Sequence, residues 1–130
     1  MARNGFNERT SARVDAVEGL LAYASTQSRW SRLAIERVWE AVALSRELAR
    51  TDPGAHTALL ARSLRTAARL MLRRRRPDDA LPSAQEAVKL ARAVGGAPLI
   101  LALGCLSEVL TALGRHEEAA MAMVEADKLT

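Results

Sequence analysis

The chain has 130 residues, enough for one domain with a single core, and an apolar content of 49% excludes a disordered protein. Its net charge of +4 is unevenly spread: residues 1–76 hold fifteen Arg against seven acids, and residues 77–130 hold four basic residues against eight acids. The single cysteine, Cys105, excludes an internal disulfide, and no apolar run is long enough to predict a membrane-spanning helix.

The opening stretch MARNGFNERTSARVDA is too polar for a secretory signal, so the expected location is cytoplasmic. Residues 1–10, with Gly5 and two Asn, are expected to form a flexible lead-in to one domain over 11–130. Ala and Leu supply most of the apolar share, and β-branched residues never alternate over a strand length, so the fold class is all-α. Val14, Val17, Leu20, Leu21 and Ala24 define one face of a first helix. A polar break at 25–31 follows, with Ser31 as the N-cap of the next helix. That second helix carries Leu33, Ala34, Val38, Ala41, Leu44, Ser45 and Leu48 along its inward stripe. Thr51-Asp52-Pro53-Gly54 is a turn signal.

A third helix is expected over 55–75, with Leu60, Leu64, Ala67, Ala68 and Met71 inward. Asp78 or Asp79 caps a fourth, which places Pro82 in its first turn, and Gly95-Gly96 ends it. Pro98 opens a fifth helix that Gly114 stops. Glu117 and Glu118 suit the start of a sixth, because negative charge there complements the helix dipole. The six helices fall into three pairs, at about 11–51, 55–94 and 98–130.

The pairs share a frame. Leu103-x2-Leu106-Ser107-x2-Leu110 leads through Gly114 to Ala119-x3-Met123-x2-Ala126. Leu64-x2-Ala67-Ala68-x2-Met71 leads to Ala80-x3-Ala84-x2-Ala87, with Arg75 in place of the glycine. The first copy, Leu21-Ala22 and then Ala34-x3-Val38-x2-Ala41, has Glu18 where a large residue belongs. Ala34, Ala80 and Ala119 are 46 and 39 residues apart. Small residues sit where helices cross, and large ones fill the gaps beside them. This pattern resembles the tetratricopeptide (TPR) repeat, and Leu113–Ala119 resembles its turn almost residue for residue. The long spacing is similar to the elongated Ala/Arg-rich TPR arrays of actinobacterial proteins. The resemblance implies three antiparallel helix pairs stacked as a short right-handed solenoid, with a concave groove that holds extended peptides.

No constellation for catalysis, metal or cofactor is legible. His56 and His116 each lie near an expected turn with no ligand-spaced partner, and no nucleotide loop or nucleophile elbow occurs. The expectation is a binding protein, not an enzyme. Arg62, Arg65, Arg69 and Arg73 share one face of the third helix, off its buried stripe. In the TPR resemblance that face lines the groove. Four guanidiniums there predict a site for an acidic or anionic protein segment. The alternative is a regulator whose basic half contacts nucleic acid through Arg73-Arg74-Arg75-Arg76, although no aromatic residue interleaves that run. Trp30 is expected to pack across the first turn and Trp39 to be partly buried. The last two helices have apolar residues on more than one side. Leu99, Leu101, Met121, Met123, Val124 and Leu129 are the expected self-association surface of a homo-oligomer, most simply a dimer.

Overall fold

A computed structural model describes the backbone from Ala2 to Thr130 and the side chains from Asn7 onward. It is all-helical among the described residues: α1 (Ala2–Thr26), α2 (Arg32–Thr51), α3 (Pro53–Arg73), α4 (Pro77–Val94), α5 (Gly96–Ala112) and α6 (His116–Asp127). The stretch 1–10, expected as a flexible lead-in, is helical from Ala2 on. Its described side chains at 7–9 are exposed, so that part of α1 runs past the core rather than into it.

Helix ends follow local chemistry. Ser31 accepts a hydrogen bond from the Ala34 amide at 3.1 Å, as expected of an N-cap. Asp52 does the same for Ala55 at 3.2 Å, and Pro53 stands at the first helical position, where a missing N–H costs nothing. The turn signal at 51–54 is therefore a helix start, and α3 begins two residues before the expected Ala55. Neither Asp78 nor Asp79 caps α4. Pro77 opens that helix, both aspartates lie in its first turn, and Arg76 precedes it without a side-chain cap. Pro82 consequently lies inside α4, one turn deeper than expected. The fifth helix starts at Gly96 rather than Pro98.

Each helix packs on the next in sequence, and α3 also touches both α1 and α5. No comparable approach links α2 to α4 or α4 to α6. The core is a file of small residues between larger ones: Ala34, Ala41, Ala67, Ala80, Ala84, Ala87 and Ala102 have no exposed surface, and Leu21, Leu64 and Leu103 fill the space beside them. Cutting Leu64 to Ala would open a cavity costing about 2–5 kcal/mol. Ser45 and Ser63 are the fully buried polar pair between α2 and α3. Their hydroxyl oxygens are 3.2 Å apart, and each also bonds a carbonyl one turn back in its own helix.

Four ion pairs tie helices that are not neighbours in sequence. Arg62 on α3 reaches Glu18 on α1 at 2.7 Å, and Arg69 on α3 lies 3.9 Å from Glu108 on α5. Arg46 on α2 holds Glu86 on α4 with both η nitrogens, at 2.6 and 3.2 Å. Arg92 on α4 grips Glu125 on α6 in the same forked manner. Arg46 and Arg92 each stand twelve residues beyond Ala34 and Ala80, and Glu86 and Glu125 each stand six beyond Ala80 and Ala119. All four pairs are solvent-exposed, so each contributes at most about 1 kcal/mol and fixes register more than stability.

Candidate functional site

The Arg face of α3 looks into the space between α1 and α5. Arg62 is exposed and paired to Glu18. Arg65, one turn on, is half-buried, and its Nε is buried with no hydrogen-bond partner. Burial pushes the Arg65 guanidinium down from its ordinary pKa, and repulsion from Arg69 and Arg62 adds to it. An Arg keeps its charge inside a protein, so the Arg65 guanidinium stands here as a cation. Arg69 and Arg73 are exposed. Arg73 donates to the Gln27 carbonyl at 3.3 Å. The four side chains thus share the side of α3 that α1 and α5 border, three of them exposed.

Two clefts flank the row. One, of about 300 Å³, is bounded by Glu18, Ala58, Leu59, Arg62, Arg65, Ala97, Pro98 and Leu101. The other, of about 220 Å³, is bounded by Ala24, Ser25, Thr66, Arg69, Leu70 and Arg73. Leu101 therefore belongs with the Arg channel and not with the outer face of α5 and α6. Sequence reasoning missed that apolar flank. α5 is apolar on more than one side, and the periodicity of its apolar residues gives no sign of which of them meet α3.

A third cleft, about 310 Å³, lies between α4, α5 and α6, but its charged groups are already matched: Arg92 with Glu125 and Arg115 with Glu118. On α3, Arg65 and Arg73 have no acidic partner among the described residues, and this makes that face the better candidate for a charged ligand.

The basic run 73–76 is largely engaged within the protein. Arg73 and Arg74 donate to the carbonyls of Gln27 and Arg29, and Arg76 pairs with Asp79 at 2.7 Å. Trp30, expected to pack across the first turn, is 64% exposed and carries the Arg29 guanidinium over its ring at 5.0 Å. Trp39 is 41% exposed.

The expected self-association set divides. Leu99 is a core residue on the buried side of α5 and has to be removed from the set. Met121, Met123, Val124 and Leu129 are exposed. Met123 lies four residues after Ala119, as Val38 lies after Ala34 and Ala84 after Ala80. Val38 and Ala84 have no exposed surface, because α3 and α5 pack over α2 and α4. No described helix covers the same side of α6, so Met123 is open. Asp127 stands where Val42 and Val88 are buried, so that face is not purely apolar.

His56 and His116 lie at the starts of α3 and α6. Among the described residues, no three His, Cys, Asp or Glu side chains come together as a metal would require. Cys105 is buried, its thiol faces the Arg65 carbonyl at 3.9 Å, and burial pushes its pKa up, away from a reactive thiolate. Among the described residues, no helix is long and apolar enough to cross a membrane. No family model, curated protein or solved structure matches the chain.

Proposed function

We propose that this protein is a TPR-like helical-repeat adaptor, cytoplasmic and self-associating, that binds an acidic or anionic protein segment along the Arg face of α3. The observation that carries this reading is Arg65, a half-buried guanidinium with an unpartnered Nε, set between Arg62 and Arg69 in the channel bounded by α1 and α5. Two further facts support the repeat. The first helices of the three pairs approach one another through α3, and the second helices do not, as in an array curved toward its first helices. The same Arg-to-Glu bridge recurs between α2 and α4 and between α4 and α6. An extended segment fits such a channel, with acids over the guanidiniums and an apolar side chain near Leu101.

Contact with nucleic acid is the weaker reading. It needs the run 73–76, where Arg74 already donates to the Arg29 carbonyl and Arg76 pairs with Asp79, and no aromatic residue interleaves the run. The exposed Met121, Met123, Val124 and Leu129 are the proposed contact with a second copy. The test of the groove is fluorescence anisotropy with a labelled Glu-rich peptide and a charge-neutral peptide of equal length. Wild type binds the acidic one selectively. Arg65→Glu with Arg69→Glu weakens it roughly tenfold or more, the effect of losing charge-assisted hydrogen bonds. Equal affinity before and after the reversal removes the proposal.

A further inference from the structure

We propose that the cleft beside Arg69 and Arg73 takes a phosphoryl group. The group is carried on a phosphorylated residue of the bound segment, and an apolar residue of the same segment lies about four positions away against Leu101 and Pro98. This rests on the groove reading above and names its ligand more closely.

The argument begins with unbalanced charge. Arg65, Arg69 and Arg73 follow one another at one-turn spacing on α3, an arrangement in which like charges repel. Glu18 offsets Arg62 at 2.7 Å, but Glu108 stands 3.9 Å from Arg69, beyond hydrogen-bond reach. Arg73 meets only a backbone carbonyl, that of Gln27. No acidic side chain lines the cleft between them, which Ala24, Ser25, Thr66 and Leu70 complete. One ligand carboxylate would offset one of these two cations. A phosphate monoester carries roughly −1.5 to −2 at neutral pH and presents three acceptor oxygens, enough for two guanidinium forks at once.

The donors have to be guanidinium. The hydroxyls of Ser25 and Thr66 give their hydrogens to the carbonyls of Leu21 and Arg62, at 2.8 and 3.0 Å. Arg is the side chain suited to this geometry, because its planar fork matches a phosphate where Lys offers only a point charge.

Spacing gives the rest. The Leu101 cleft is built on residues 58–65 of α3 and the phosphoryl cleft on 66–73, one stretch directly after the other. Their centres lie roughly 12 Å apart at ~1.5 Å of helix per residue. An extended peptide covers that distance in about four residues at ~3.3 Å each. Leu101 is 46% exposed there, an apolar anchor with Pro98 and Ala58 at its side.

The experiment uses the full chain and three labelled synthetic peptide pools of the form Leu-x-x-x-Z, where Z is phosphoserine, Glu or Ser. The phosphoserine pool is expected to bind roughly tenfold or more tightly than the Glu pool, and the Ser pool most weakly. Arg73→Gln brings the phosphoserine pool down to the level of the Glu pool. Arg46→Gln, an equal loss of charge on α2, leaves the preference in place. Phosphoserine and Glu pools of equal affinity would overturn the phosphoryl site and leave the acidic-segment reading standing. Binding to none of the pools would overturn both. A duplex oligonucleotide that binds more tightly than the phosphoserine pool would also overturn it, in favour of a nucleic-acid ligand.

Discussion

Arg75 and Gly114, thirty-nine residues apart, occupy the same place in two successive turns, and both have left-handed backbone, with φ of 61° and 77°. Their surroundings match bond for bond. The Arg75 amide reaches the Leu72 carbonyl and the Gly114 amide that of Thr111. The next amides, of Arg76 and Arg115, reach back to Met71 and Leu110. This is the Schellman ending of a helix, which favours glycine at its left-handed position. Arg75 is the one non-glycine residue with positive φ among the described residues.

A pair of substitutions with opposite signs follows. Gly114→Ala places a side chain on left-handed backbone and lowers stability by about 1 kcal/mol, a fall of about 4 °C in Tm, all of it from the local backbone because no surrounding residue lies within 4 Å of the added carbon. Arg75→Gly relieves the same strain. The entropy of glycine in the unfolded chain offsets part of that gain, which leaves a rise of a few tenths of a kcal/mol. Urea or thermal melts read both, and a fall in stability for both variants would contradict the shared geometry.

Acid has a local target in Glu125. Hydrogen bonds from Arg92 hold its carboxyl below its ordinary pKa of 4.5, burial opposes this, and the charges of Arg92 and Lys128 reinforce it. A carboxyl depressed in the folded state is protonated more readily in the unfolded chain. Its contribution is therefore complete above the ordinary carboxylate value and is lost as pH falls through the folded one. The pair is exposed, so the loss is at most about 1 kcal/mol. Urea melts at pH 7 and pH 3 should show wild type losing more stability on acidification than Glu125→Gln. Glu118, held down by Arg115, adds a loss of the same sign to both proteins. Identical losses in the two would show that the Arg92 bridge does not persist in solution.

Much of this fold is legible in the sequence, because Ala and Leu recur at helical spacing and the breaks are marked by Gly, Pro and Asp. Errors cluster where one residue set signals two structures. Asp-Pro-Gly at 52–54 is a turn signal, and it is equally an N-cap followed by a proline at the first helical position. Leu99 and Leu101 look alike in the apolar first half of α5, but one lies in the core and the other lines the cleft beside Arg62 and Arg65. The Arg row itself was visible from its spacing. What it faces was not, because Glu18 and Glu108 are 44 and 39 residues away from Arg62 and Arg69 in sequence. The buried, unpartnered Nε of Arg65 has no sequence signal at all.

Self-association has its own measurement. Met121 and Val124 are 71% and 53% exposed on α6, beside the open Met123. Light scattering across a wide concentration range should show a mass rising above 14.1 kDa for wild type and holding there for Met121→Glu with Val124→Glu. A wild-type mass that stays monomeric throughout would remove this face as a contact between copies.

The groove on α3 is tested most directly by amide chemical-shift mapping of the 14.1 kDa chain during titration with the Glu-rich peptide. The expected result is a continuous track of perturbed amides through Glu18 and Ser25 on α1, Arg65, Arg69 and Arg73 on α3, and Leu101 and Glu108 on α5. Perturbation confined to the outer sides of α2, α4 and α6, or none at saturating peptide, would contradict it.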